Sequence, residues 1–123
     1  MIGEHDWQHI NILIVDDDAS NLHLLTNYLT GLGFKVLPLK NGEQIFHLLE
    51  RRRPELILLD ILMPEIDGFE VCRQLKAHPA TQHIPIIFLT AKTEVADEEQ
   101  GFALGAVDFI HKPISPPIVL ARV

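Results

Sequence analysis

The sequence predicts an α/β domain in which helices cover both faces of a five-stranded parallel sheet. Five short apolar runs alternate along the chain with segments whose apolar residues recur at helical spacing. Strands that are apolar without interruption are typical of a sheet buried on both faces. The length of 123 residues, of which 47% are hydrophobic, is sufficient for one such domain with one core region.

The first half of the chain predicts two strands and two helices. Residues 10–15 are an apolar run that ends in three aspartates and predicts the first strand. A helix with glycines at its end follows, and residues 34–39 predict the second strand. Residues 42–53 predict a second helix, which Pro54 closes. The apolar face of the first helix carries Leu22, Leu25, Leu29 and Leu32.

The second half continues this alternation. Three further apolar runs predict strands at residues 56–59, 85–89 and 107–110. One intervening helix carries Phe69, Cys72 and Leu75 on a shared apolar face, and another is predicted over residues 94–104 with Gly105 as its C-cap. Because each strand is followed by a helix, we expect a doubly wound, flavodoxin-like (βα)5 sheet with strand order 2-1-3-4-5.

The two ends of the chain differ from the rest. Residues 1–9 form a polar N-terminal lead that lacks the basic start and apolar stretch of a signal peptide. Residues 10–123 form the domain. Ser115 and Pro116 suit the N-cap and first position of a last helix, and the sequence stops barely two turns later. We therefore expect the domain to be cut within its last helix and to be part of a longer protein.

Charge and cysteine content restrict the class of protein. The formal net charge is −7, and the one cluster of basic residues is Arg51 to Arg53, which we expect at a helix end. A duplex-binding surface needs a basic face, so we expect no direct contact with nucleic acid. Cys72 is the only cysteine, and no apolar run reaches the roughly 20 residues that span a bilayer. We expect a cytoplasmic domain with no membrane contact.

Polar side chains follow four of the five predicted strands. In an open α/β sheet, ligands bind beyond the carboxyl ends of the strands. Clustered carboxylates suit a hard cation, of which Mg²⁺ is the best match, and a carboxylate can also accept a phosphoryl group. A lysine and a hydroxyl could then neutralise and orient the transferred group. The residues at this edge are Asp16, Asp17, Asp18, Asp60, Thr90 and Lys112.

Four segments carry a resemblance to a known family. ILIVDDD, LILLDILMPEIDG, IIFLTA and DFIHKP resemble the defining motifs of response-regulator receiver domains of two-component signalling systems. They occur in the family order and extend over essentially the whole chain from Ile10 onward. Each motif alone is weakly specific, whereas all four in register are strongly specific.

The resemblance implies a role for individual residues. Asp60 would be the phosphoacceptor, and the acidic pair Asp16 and Asp17 would hold Mg²⁺ together with Asp60 and the backbone carbonyl of Leu62. The other residues that the resemblance assigns are Thr90 and Lys112, which would contact the phosphoryl group, and Phe109, which would act with Thr90 as the switch. Phe109 stands where some family members have tyrosine, so an output that depends on the tyrosine hydroxyl is not expected here.

The resemblance also implies partners. The phosphodonor would be a sensor histidine kinase or a phosphotransfer protein, and the phosphorylated domain would change a surface formed by the fourth helix, fifth strand and fifth helix, roughly residues 94–123. That surface would control an output domain C-terminal to this fragment, and it could pair two domains as a homodimer. The domain itself would be a phosphoacceptor rather than an enzyme, with any enzymatic output beyond Val123.

Two alternatives remain open from the sequence. One is a Mg²⁺-dependent phosphatase of the haloacid dehalogenase type, in which Asp16 is the nucleophile and Asp18 its partner. The other is a receiver that binds partners without being phosphorylated.

For three single residues, the sequence predicts a structural role. We expect Asp18 to cap the first helix, Cys72 to lie in the core, and Gly68 to permit an unusual turn conformation.

Overall fold

The computed structural model describes residues 10–42, 44–61, 67–90, 103 and 108–111. The strands form one parallel sheet in the order β2-β1-β3-β4-β5, which confirms the predicted fold and strand order. The elements in chain order are β1 (Asn11–Val15), α1 (Ala19–Gly31), β2 (Lys35–Leu39), α2 (Gln44–Leu49), β3 (Leu56–Asp60), α3 (Gly68–Ala77), β4 (Ile86–Thr90) and β5 (Asp108–His111).

The register of the sheet brings the carboxyl ends of its strands to one edge. Val15, the last residue of β1, pairs with Leu39 of β2 and with Leu59 of β3. Asp60 at the end of β3 then pairs with Leu89 of β4. The residues that follow β1 and end β3 are therefore neighbours at this edge.

Two apolar layers bury the sheet on its two faces. In β1, Leu13 and Val15 belong to the layer that contains residues of α2 and α3, whereas Ile12 and Ile14 belong to the layer that contains residues of α1. Successive side chains of a strand point to opposite faces, so a strand covered on both sides needs apolar residues at every position. This requirement explains why the predicted strands are continuous apolar runs.

The first helix begins and ends with standard capping interactions. The side chain of Asp18 accepts hydrogen bonds from the backbone N–H groups of the first turn, which confirms its predicted capping role. At the other end, Gly33 has a φ of 107°, and the N–H of Phe34 donates to the carbonyl of Leu29. A left-handed residue with this hydrogen bond is the Schellman motif, in which glycine avoids the strain that a side chain would add.

The second and third helices differ from the prediction at their ends. Helix α2 ends at Leu49, so the expectation that it extends to residue 53 was wrong. The N–H groups of Arg51 and Arg52 both bond to the carbonyl of Leu48, and the chain then turns toward Pro54, which disfavours helical geometry in the residue before it. The arginines therefore follow the helix and do not end it. Helix α3 begins at Gly68, which we had expected in a turn.

Several predictions fall outside the described residues. They concern the N-terminal lead at residues 1–9, the fourth helix apart from Ala103, and the last helix after Ser115. The surface predicted for residues 94–123 is described only at Ala103 and in β5. Within the described part of the chain, no helix combines the length and the apolar character that crossing a membrane requires.

Candidate functional site

Three aspartates meet at the carboxyl edge of the sheet. Asp16, Asp17 and Asp60 each offer one carboxylate oxygen, and these oxygens all lie within 4.8 Å of one another. Asp16 and Asp60 are buried, at 0% and 3% exposure, whereas Asp17 is exposed. The structure therefore brings together three of the residues that the sequence predicted for a common site.

Asp16 is held by the two strands beside it. It directly follows β1, and its backbone N–H donates to the carbonyl of Leu39 at the end of β2, 3.1 Å away. Its side-chain Oδ1 accepts a hydrogen bond of 2.9 Å from the backbone N–H of Asp18. These contacts orient the Asp16 carboxylate, because one of its oxygens is bound to the backbone of the same loop.

Asp60 is the last residue of β3, in the interior of the sheet. The next residue, Ile61, is fully buried, and its N–H donates to the carbonyl of Leu89 at 3.2 Å. The backbone on both sides of Asp60 is thus part of the hydrogen-bonded sheet. A carboxylate on such a backbone occupies a defined position, which a catalytic or ligating group requires.

The three carboxylates fit a hard divalent cation. The group offers only oxygen ligands, which suit Mg²⁺ or Ca²⁺ rather than the softer metals that select histidine or cysteine. Mg²⁺ usually keeps several waters and uses few protein carboxylates. An exposed Asp17 beside two buried carboxylates leaves one side of the group open to solvent, as such a partly hydrated ion needs.

Asp18 lies outside this group although it adjoins Asp17 in the chain. Its Oδ1 accepts hydrogen bonds from Ser20 N at 2.8 Å and Asn21 N at 3.3 Å. The side chain is therefore engaged by the first turn of α1. The haloacid dehalogenase alternative needs Asp18 as the functional partner of Asp16, and this geometry does not support it.

The remaining predicted residues are described in part or not at all. Thr90 ends β4 opposite His111, and Phe109 lies in β5 opposite Phe88, so the backbones of both belong to the sheet. Their side chains are outside the described part of the structure, as are Leu62 and Lys112 entirely. The assignments of these four residues stay predictions.

Sequence reasoning missed the role of Gly68. This residue does not have a positive φ, so the expectation of an unusual turn conformation was wrong. It is the first residue of α3, and its N–H donates to the carbonyl of Ile61 at 2.8 Å. Asp67 before it accepts a hydrogen bond from Phe69 N and is the N-cap. The available signal was the aspartate–glycine pair, which is compatible with a turn and with a helix start.

Several side chains along α3 have shifted pKa values. Burial raises the pKa of the Cys72 thiol, as expected for a core cysteine with 0% exposure. Desolvation lowers the pKa of Lys76, whose Nζ donates to the carbonyls of Gln82 and Ile84. These shifts have structural causes, so they do not mark a second chemical site.

Comparisons with known proteins agree with the resemblance in the motifs. The family model for the response regulator receiver domain matches residues 12–123. A probable cyclic di-GMP phosphodiesterase of Vibrio cholerae is 42% identical over 96% of this chain, and response regulator PleD of Caulobacter vibrioides is 43% identical over 91%. The chain spans only 26% and 25% of the lengths of these two relatives.

A solved structure extends the comparison to the metal site. The receiver domain of sensor histidine kinase PA1611 from Pseudomonas aeruginosa, which holds a magnesium ion in its active-site cleft, is 30% identical with a TM-score of 0.83. The alignment covers 92% of this chain and 93% of that one. The match of the family model over nearly the whole chain, on a fold with the same acidic edge, shows that this chain belongs to the response regulator receiver domain family.

Proposed function

We propose that this receiver domain accepts a phosphoryl group on Asp60. The observation that carries the proposal is the convergence of Asp16, Asp17 and Asp60, whose oxygens lie within 4.8 Å of one another at the carboxyl edge of the sheet. Asp60 is the member of this group contributed by the third strand, as the family motif requires. Ligands of open α/β sheets bind at this edge.

The two aspartates after β1 have a different role. One oxygen of Asp16 accepts a hydrogen bond from the backbone N–H of Asp18, which favours Asp16 as a fixed ligand rather than a nucleophile. Asp17 is exposed and can complete the coordination from the solvent side. We infer that these two residues hold Mg²⁺ together with Asp60 and the Leu62 carbonyl. When bound, the ion would supply positive charge to the oxygens of the phosphoryl group.

The transfer itself needs little covalent chemistry from the protein. A carboxylate oxygen of Asp60 forms a bond to phosphorus while the bond from phosphorus to the donor's imidazole nitrogen breaks, and its electron pair stays on that nitrogen. We assign Thr90 to donating a hydrogen bond to the phosphoryl oxygens and Lys112 to neutralising their charge. The domain is in this sense a phosphoacceptor and a signalling module.

The consequence of phosphorylation would be a shift between two conformations. The phosphoryl group would favour the form in which Thr90 contacts it, and Phe109 would change its position in response. The surface that changes would be residues 94–123, which would control a C-terminal output domain or pair two copies. The donor would be a sensor histidine kinase or a phosphotransfer protein in the cytoplasm. We also propose that residues 10–123 are one part of a longer protein.

Acetyl phosphate provides a direct test. The 123-residue chain is incubated with acetyl phosphate and Mg²⁺, and intact-mass measurement then counts the phosphoryl groups gained. Reduction of the acyl phosphate with borohydride before peptide mapping identifies the modified aspartate. We expect one group on Asp60, none in Asp60→Asn, and none when EDTA replaces Mg²⁺.

A control variant tests whether labelling is lost because the acceptor is missing or because one negative charge has been removed. Asp67→Asn removes one carboxylate outside the acidic group, and asparagine caps a helix as well as aspartate does. This variant should be labelled like wild type. Full labelling of Asp60→Asn, or a label on Asp16, would refute the assignment. Spectra of wild type that are unchanged by beryllofluoride with Mg²⁺ would favour a receiver that is not phosphorylated.

A further inference from the structure

Helix α3 begins so close to the end of β3 that its first residue, Gly68, has no room for a side chain. A Cβ atom added to Gly68 would overlap the carbonyl oxygen of Asp60. It would also lie 2.7 Å from the Cα of Ile61 and 3.0 Å from the carbonyl carbon of Asp60. All three atoms belong to the backbone, so no side-chain rotation can relieve the overlap.

The backbone conformation of Gly68 gives no reason for glycine at this position. Its φ is not positive, so any residue could adopt it. It is also the first residue of a helix, where alanine has the higher propensity. The reason for glycine here is therefore the space behind Asp60.

Two contacts hold the start of α3 against the sheet. The N–H of Gly68 donates to the carbonyl of Ile61 at 2.8 Å. The ring of Phe69 packs edge-on against Phe88 of β4, with centroids 5.2 Å apart and planes at 74°. A Cβ at position 68 must therefore displace either this anchored helix or the Asp60–Ile61 peptide.

We propose that Gly68 is a positioning residue for the acceptor carboxylate. Its missing side chain lets α3 rest directly on the Asp60–Ile61 peptide, and this contact keeps Asp60 within reach of Asp16 and Asp17. An ordinary contact of about 3.5 Å would require a displacement of about 1 Å. The inference depends on the proposed role of Asp60 and adds a residue that touches neither the metal nor the phosphoryl group.

Two glycine substitutions test the proposal. In Gly68→Ala, we expect the rate of labelling by acetyl phosphate at saturating Mg²⁺ to fall about 100-fold, because a 1 Å misplacement of a reacting group has an effect of that order. We also expect the dissociation constant for Mg²⁺ to rise, by roughly tenfold, since one of three clustered carboxylates has moved. In Gly31→Ala, the matched control at the end of α1, a Cβ meets nothing within 4 Å, and both quantities should stay within about twofold of wild type.

A third variant separates position from stability. Phe69→Leu weakens the packing of α3 on β4 without adding an atom against Asp60. At a temperature where all variants are folded by circular dichroism, it should be labelled close to the wild-type rate. Equal slowing of Phe69→Leu and Gly68→Ala would overturn the proposal, because loss of rigidity would then explain both.

The remaining outcomes are equally decisive. Labelling of Gly68→Ala at the same rate as Gly31→Ala would overturn the positioning role. Failure of Gly68→Ala to fold even in a stabilising osmolyte would also overturn it, because the glycine would then be required only for folding. If wild type took no label, the proposed acceptor function would fail. The positioning role would then be decided by Mg²⁺ titration, where Gly68→Ala must bind more weakly than Gly31→Ala.

Discussion

Replacing Asp60 by asparagine should make the folded chain more stable when no divalent metal is bound. At 4.8 Å, two ionised carboxylates repel by about 1 kcal/mol at the dielectric constant of water and by about 3 kcal/mol at an effective value near 20. Asp16 and Asp60 are both buried, so their repulsion lies nearer the higher figure, and that of the exposed Asp17 lies nearer the lower one. The two repulsions sum to about 4 kcal/mol, but asparagine, although nearly the same size, also alters the other contacts that Asp60 makes, so the net gain should be about half of that sum, about 2 kcal/mol.

Urea unfolding in EDTA and in saturating MgCl₂ measures this gain. With an m-value of about 1–3 kcal/mol/M, the midpoint of Asp60→Asn in EDTA should lie about 1 M above that of wild type. A magnesium ion that binds the folded chain alone, as proposed, should stabilise wild type by about 2.7 kcal/mol at 100 times the dissociation constant. The variant lacks one of the proposed ligands and should gain much less stability from magnesium. The difference between the two proteins should therefore shrink or reverse in magnesium.

Asp18→Asn is the control for a simple change in net charge. It removes a carboxylate two residues from Asp16, but its side chain caps α1, a role that asparagine also fulfils. This variant should respond to magnesium as wild type does. The reasoning is refuted if Asp60→Asn is less stable than wild type in EDTA, or if magnesium stabilises both equally.

Three further predictions concern the surroundings of α3. Thr81 is buried and its Oγ1 donates to the carbonyl of Leu75 at 2.7 Å, so Thr81→Val should lower the free energy of unfolding by about 1–3 kcal/mol in urea melts; no loss would contradict this hydrogen bond. Burial raises the pKa of the Cys72 thiol, so iodoacetamide at pH 8 should modify it only at the rate of unfolding, and rapid modification of the folded chain would be inconsistent with the structure. A hydrogen bond from Arg73 lowers the pKa of Glu70 below its usual value of 4.5. The stability that this pair contributes is therefore present above pH 4.5 and is lost as the pH falls through the lowered pKa. An NMR titration of Glu70 with a midpoint at or above 4.5 would contradict this prediction.

The strands could be predicted closely because burial on both faces leaves a strong signal. The predicted first strand began one residue early, at Ile10, and ended correctly at Val15. The predicted third strand lacked only its last residue, Asp60. A polar residue inside such a strand would enter a buried layer, so the apolar run ends close to the end of the strand. Three strands extend one polar residue beyond the run, at Asp60, Thr90 and His111, at the carboxyl edge of the sheet.

Helix ends, and the different roles of the aspartates at positions 16–18, were harder to predict from the sequence. The end of α2 depends on how the backbone turns after Leu49, and apolar spacing carries no information on that turn. The consecutive aspartates at positions 16–18 look alike in sequence, yet one is buried, one is exposed and one caps a helix. Only Asp18 had a local signal, because it precedes the first apolar residues of a helix at the distance typical of an N-cap. The difference between Asp16 and Asp17 arises from tertiary packing.

Gly33 and Gly68 are required for different physical reasons, and this difference has measurable consequences. Gly33 has a φ of 107°, so an L-residue there is strained by its own backbone, whereas a D-alanine introduced by chemical synthesis should be tolerated. Gly68 has ordinary backbone geometry and lacks room for a Cβ on account of Asp60 and Ile61. The sequence alone does not distinguish these two reasons, but substitutions at the two positions should have different effects. A position limited by φ affects stability alone, whereas a position limited by contact with the acceptor strand should affect phosphorylation as well.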